Sequence, residues 1–225
     1  MKKLLSFSLL AVLLAGSHAV AATFKESVER IESCEAILRE FMANPETAIP
    51  AEVLQRARGL VILNQARGGF VIGVKDGYAT LMVKRSDNTW SLPVLMNAGE
   101  GNIGFQIGFT RIETIYVLMD DETPRLFFRN RFLTGVDAKA VAGPRVRERE
   151  HINDDVLSTP VLVYSKQRGL FAGLSFKGGY VTRDDPANRE LYSTSYTLPE
   201  ILYSNWIQPP AEVQPLLNYV RQIAP

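Results

Sequence analysis

From Thr23 onward the apolar positions first recur at threes and fours. Val28, Ile31, Cys34, Leu38, Phe41 and Met42 fall on one stripe of a 3.6-residue period, and Thr23 with Glu26 has capping-box spacing. The pattern predicts an amphipathic helix ending near Asn44-Pro45. A second, short helix is expected from Pro50 through Leu54 to Ala57, with Gly59 stopping it. Beyond it the texture changes to β-branched and aromatic runs separated by glycine, at residues 60–63, 70–74, 78–85, 90–96, 103–109 and 112–119. Lys75-Asp76-Gly77 and Ser86-Asp87-Asn88 read as hairpin connections, and hence the runs as an antiparallel meander.

Acids gather at Asp120-Asp121-Glu122 ahead of residues 123–132, and Pro124 suits a first helical turn, so a short helix is expected there. Strands are predicted again at 136–142, 161–165, 169–176 and 180–183, and helices at 186–192, 198–203 behind Thr197, and 211–223. The fold class is α+β: a strongly curved antiparallel β-sheet closing toward a barrel, flanked by N-terminal and C-terminal helices. Residues 22–48 form the N-terminal amphipathic helix and 49–225 the domain behind it.

The first residues follow other rules. Lys2 and Lys3 precede an apolar stretch from Leu4 to Gly16, and Ala19-Val20-Ala21 is a small-residue cleavage signal, so residues 1–21 read as a signal peptide removed before Ala22. Leu14-Ala15-Gly16-Ser17 resembles a lipoprotein signal with serine in place of its cysteine, so an unlipidated, exported, periplasmic protein peripheral to the membrane is expected.

Composition narrows the chemistry. With 46% apolar and 22% charged residues the chain can bury a core, and its formal charge of +1 gives no global field toward nucleic acid. One Cys and two His, of which only His151 survives cleavage, fall short of a zinc site. Gly99-Glu100-Gly101-Asn102-Ile103-Gly104 matches G-x-G-x-x-G, but period-two alternation follows it, so the glycines lead into a strand and not the helix N-terminus that nucleotide binding needs. Ser175 lies in Gly173-Leu174-Ser175-Phe176-Lys177, which lacks the closing glycine of a nucleophile elbow, and His151 stands in a polar loop. Cys34, on the apolar stripe, is expected to be a buried thiol.

One charge feature stands out. Arg125, Arg129, Arg131, Lys139, Arg145, Arg147 and Arg149 face only Asp137 and Glu148 in the same stretch, a local excess of +5. Arg145, Arg147 and Arg149, spaced by two, share one side of an extended chain. Arg125 and Arg129 share a helical face beside Phe127, Phe128 and Phe132, a pairing of guanidinium forks and aromatic anchors that suits a phosphate-bearing lipid surface.

Ala57-Arg58-Gly59-Leu60, Trp90-Ser91-Leu92-Pro93, Gly104-Phe105-Gln106-Ile107-Gly108, Gly143-Pro144, Tyr164-Ser165 leading to Arg168-Gly169-Leu170-Phe171-Ala172-Gly173, and Asn188 with Tyr192 stand in the order of a SYLF domain. The resemblance covers roughly residues 49–217. It implies a lipid-binding module without catalytic residues or cofactor, whose eukaryotic relatives bind phosphoinositides and, in some members, actin filaments. Those relatives carry a basic amphipathic segment ahead of the domain. Here residues 23–48 hold three basic residues against six acids, a balance of −3 that anionic headgroups would repel. The expectation is therefore reversible association with an anionic phospholipid membrane through Arg125, Arg129, Arg131, Lys139, Arg145, Arg147 and Arg149, without nucleotide or nucleic acid. An envelope protein-interaction or scaffold module is the alternative, and a hydrolase using His151 a third.

Overall fold

Thr23 opens the first helix, α1 (Phe24–Ala43), as its spacing predicts: its hydroxyl accepts from the Glu26 N–H at 3.2 Å, and the Glu26 carboxylate accepts from the Thr23 N–H at 2.7 Å. The computed structural model describes residues 22–69, 74–101, 108–129, 131–133, 136–168 and 179–225. The expected leader, the expected strand at 169–176 with Ser175, and most of the runs at 70–74 and 103–109 lie outside them. Val28, Ile31, Cys34, Ile37, Leu38 and Phe41 form the buried stripe of α1, which packs against the sheet. The Cys34 thiol meets the Ile62 carbonyl at 3.5 Å, and burial pushes it up to about 12. A short helix, α2 (Ala51–Arg56), follows behind Pro50.

Among the described residues the sheet has eight strands: β1 (Gly59–Gly69), β2 (Val74–Val83), β3 (Val94–Gly101), β4 (Gly108–Leu118), β5 (Phe132–Leu133), β6 (Ala140–Ala142), β7 (Val161–Arg168) and β8 (Gly179–Arg183). Their order is β5-β8-β3-β2-β1-β4-β7-β6, curled into a half-barrel. β1 is central, with Leu60 opposite Met82 on one side and Val117 on the other. All pairings are antiparallel except β6 with β7.

Several local readings change. Lys75-Asp76-Gly77 is not a turn: it runs inside β2 against Arg67, Ala66 and Gln65. The largely apolar register of residues 60–63 against 79–82 carries the ladder on past the polar residues. A Cβ at Gly77 would lie 2.4 Å from the Asn64 carbonyl, so glycine there serves close strand approach. Gly99 and Gly101 likewise belong to β3, where the Tyr180 ring crosses Gly99. The helix expected over 123–132 is only α3 (Thr123–Leu126), because Phe127 and Phe132 both enter the core and stack at 4.1 Å. On a continuous helix, residues five apart would point about 140° apart. The strand expected at 136–142 shortens to β6.

Residues 146–151 coil as a 3-10 helix (Val146–His151) before α4 (Asp154–Leu157). The C-terminal helices are α5 (Asp185–Tyr192), α6 (Leu198–Tyr203) and α7 (Gln214–Ile223), the last entered through a 3-10 turn at Ala211–Val213. The residues that carry the SYLF resemblance are joints between these parts. The buried Trp90 indole donates to the Ala224 carbonyl at 2.6 Å, the Tyr192 hydroxyl to the Pro93 carbonyl, and the Tyr164 hydroxyl to the Pro144 carbonyl at 3.1 Å.

Candidate anion-binding cleft

At the end of the sheet where β1 begins, three segments are laced together by main-chain bonds. The Arg58 N–H donates to Leu118 O at 2.7 Å, and its carbonyl accepts from Lys84 N at 2.8 Å, which joins the entry of β1 to the exits of β4 and β2. After Lys84 the chain reverses through residues 86–88, as the sequence predicts: Arg85 N donates to Thr89 O at 2.8 Å, and Asn88 takes a left-handed φ of 61°. On the other side, the Asp120 carboxylate accepts from Thr123 N at 2.6 Å and so sets the start of α3. Between these walls lies an open cleft of about 530 Å³, lined by Arg58, Lys84, Ser86, Asn88, Asp121, Pro124, Arg125 and Tyr203.

The cleft is electropositive. Arg58, Lys84 and Arg125 face one acid, Asp121, whose carboxylate lies 3.4 Å from Arg58 Nε and is itself mostly exposed. Lys84 is only 8% exposed, and its ammonium donates to a main-chain oxygen of Pro225, the last residue of the sequence. Burial, and then the charge of Arg58, hold that ammonium below the usual lysine value of 10.5. A desolvated cation beside two further cations is stabilised by an incoming anion. Two guanidinium forks beside one ammonium suit the tetrahedral oxygens of a phosphate. Burial raises the Tyr203 phenol on the cleft wall, and Arg125 beside it opposes the shift.

The seven basic residues read as one cluster in the sequence are parted. Arg125 enters the cleft, and Arg129 is exposed just beyond α3. The Arg131 guanidinium lies 4.4 Å from the Tyr180 ring centroid, over its face. Lys139 is exposed, and its carbonyl accepts from Val161 N at 3.2 Å. Arg145, Arg147 and Arg149 do not share a side of an extended chain, because the chain after Arg145 coils into 3-10 turns kinked at Glu148. Arg147 pairs with Glu46, and Arg149 with Glu52 at 3.5 Å, so acids on either side of Pro50 offset two of the three arginines. Phe127 and Phe132 are core residues, and only Phe128 of the three expected anchors reaches the surface region, edge-to-face with Tyr203 at 5.9 Å.

His151 is exposed at the end of the 3-10 helix. Among the described residues there is no group of three or more His, Cys, Asp or Glu placed to hold a metal, and no helix long and apolar enough to cross a membrane. Sequence reasoning missed Lys84 and Tyr203 as site residues and saw Arg58 only as part of a motif. The available signal was the pair Lys84-Arg85, which ends an apolar strand beside a turn.

Comparison with known proteins gives a consistent picture. The family model Ysc84, described as Las17-binding protein actin regulator, matches residues 99–223. The SH3 domain-containing YSC84-like protein 1 of Rattus norvegicus is 32% identical over 180 residues, covering 77% of this chain and 53% of the relative. LAS seventeen-binding protein 3 of Saccharomyces cerevisiae is 30% identical over 182 residues, covering 80% of this chain and 39% of the relative. Protein YSC84 of the same yeast is 30% identical over 196 residues, covering 84% and 42%. The chain thus spans about half or less of the length of these relatives. An α+β half-barrel bearing the ordered SYLF residues, matched by this model over more than half its length, belongs to the Ysc84 (SYLF) family.

Proposed function

We propose that this protein is a non-catalytic binding module that associates reversibly with anionic phospholipid surfaces, with the cleft of Arg58, Lys84 and Arg125 as its headgroup site. The observation that carries the reading is the desolvation of Lys84 beside two arginines, with Asp121 the one acidic side chain among the described residues lining the cleft. Arg129 extends the positive edge beyond α3, while Arg147 and Arg149 contribute less because Glu46 and Glu52 already pair with them. Export to the periplasm through the leader at residues 1–21 belongs to the same reading, and mass spectrometry that finds an unlipidated N-terminus at Ala22 supports it.

The test is sedimentation of residues 22–225 with vesicles of phosphatidylcholine alone or mixed with phosphatidylglycerol. Binding should require the anionic lipid and weaken with salt. Each surface-adjacent cation contributes about 1 kcal/mol to such attraction, so reversing Arg58 and Arg125 to Glu together should remove it. Undiminished binding by the folded double variant would exclude the cleft. A second reading, a protein-interaction module, is favoured by the relatives' description as Las17-binding. Only the first reading requires that vesicles alone suffice.

A further inference from the structure

Beside the cleft, the chain around α6 exposes aromatic rings that the core does not use. Trp206 is 60% exposed, Tyr203 43% and Tyr196 41%, whereas the other tryptophan, Trp90, is 2% exposed. The Tyr196 and Trp206 rings meet edge-to-face at 6.2 Å, so the chain after α6 folds back along the helix to its start. The platform is fixed from beneath. Arg85 donates to the carbonyls of Leu202 at 2.9 Å and Ser204 at 2.5 Å, holding the end of α6 to the turn after β2. Between Leu191 and Ala211 the one charged residue is Glu200, whose carboxylate is occupied by the N–H and hydroxyl of Thr197, both at 2.7 Å. A ledge whose one charged residue is Glu200, with tyrosine and tryptophan at its rim, thus adjoins an electropositive cleft, and Tyr203 belongs to both.

Indole and phenol rings combine a large apolar body with one polar group, and this suits them to the zone between headgroups and acyl chains. We propose that Tyr196, Tyr203 and Trp206 form the edge that enters that zone when the cleft holds an anionic lipid phosphate. The inference rests on the lipid-binding reading above and deepens it: the cleft supplies attraction that salt screens, and the ledge supplies burial that salt does not screen. The occupant is a bilayer surface. A charged peptide would satisfy the cleft but gain little from a segment that carries one charge, Glu200, between Leu191 and Ala211.

Tryptophan emission from residues 22–225 tests this directly, because Trp90 is already buried and Trp206 is free to report. On vesicles of mixed phosphatidylcholine and phosphatidylglycerol the emission should shift to the blue, and lipids brominated high on the acyl chain should quench it. Trp206→Phe should abolish shift and quenching while the protein still sediments. Trp206→Ser should weaken vesicle partition roughly tenfold, by the same factor at low and high salt, whereas Arg125→Glu should flatten the salt dependence. Sedimentation with unchanged, unquenched emission would overturn the ledge and leave the cleft standing. Failure of the unmutated protein to sediment would overturn both.

Discussion

The side-chain amide of Asn188 pairs with both main-chain groups of Leu95, accepting from its N–H at 2.7 Å and donating to its carbonyl at 2.8 Å. β8 ends at Arg183, opposite Met96, so Leu95 lies one residue past the ladder and Asn188 from α5 takes the place of the missing strand. The same amide donates to Asp184 O at 2.9 Å, which ties the helix start to the strand end. Both residues are buried, and truncation leaves the Leu95 N–H without its partner and the Leu95 carbonyl with only the long 3.4 Å bond from Asp184 N. Asn188→Ala should therefore lower the unfolding free energy by about 2–4 kcal/mol in urea titrations. Asn188→Asp should be worse near neutrality, since a carboxylate would face two carbonyls, and should recover partly in acid. Wild-type stability in the alanine variant would refute this role.

Gly143 and Tyr164 make a second joint. A Cβ on residue 143 would stand 2.2 Å from the Tyr164 ring, whose hydroxyl is held by the Pro144 carbonyl. The ring cannot swing away without breaking that bond. Gly143→Ala should cost about 2–3 kcal/mol by overpacking, and much less when combined with Tyr164→Val, which removes the obstruction. Strictly additive losses in the double-mutant cycle would contradict the contact.

These joints show which parts of the molecule were legible in the sequence. The helix α1, its cap at Thr23, the C-terminal helices and the buried Cys34 follow from local periodicity and capping chemistry, and the structure agrees. Lys75-Asp76-Gly77 was misleading because turn-forming composition is a local signal, whereas the register of β1 against β2 is set by apolar residues farther along. Adding charge along the chain likewise exposed Arg125 but also counted Arg147 and Arg149, whose partners Glu46 and Glu52 are about a hundred residues away in sequence and adjacent in space. Lys84 was invisible for the complementary reason: its two arginine neighbours come from the start of β1 and from α3.

The arginines of the 3-10 helix should behave as ordinary surface ion pairs. Arg147 and Glu46 are both more than half exposed, and Arg149 with Glu52 is similar, so solvent screens each pair. Arg147→Ala and Arg149→Ala should each change stability by less than about 1 kcal/mol in thermal or urea unfolding. Their joint reversal to Glu should reduce vesicle binding far less than reversal of Arg58 and Arg125. The opposite order of effects would return the headgroup site to the 3-10 helix.

The final prediction uses Lys84 as its own reporter. Its ammonium is held below 10.5 by burial and by Arg58, with Arg125, Asp121 and Tyr203 completing the surrounding cleft. The unfolded chain binds that proton up to about 10.5, whereas the folded chain releases it earlier, so between the two values the unfolded state holds more protons. Stability attributable to Lys84 must therefore rise with pH across that window. Lys84→Met keeps the length of the side chain without the charge and should remove this rise, leaving a flatter profile below 10.5 than that of the unmutated protein. A phosphate anion in the cleft favours the protonated form, so glycerol phosphate should raise the pKa of Lys84 and narrow the window. Nζ chemical shifts followed against pH, with and without glycerol phosphate, read both effects. Coincident stability profiles for the two proteins would show that Lys84 is not a desolvated cation. A Lys84 titration unmoved by the phosphate ester would show that the cleft does not hold one.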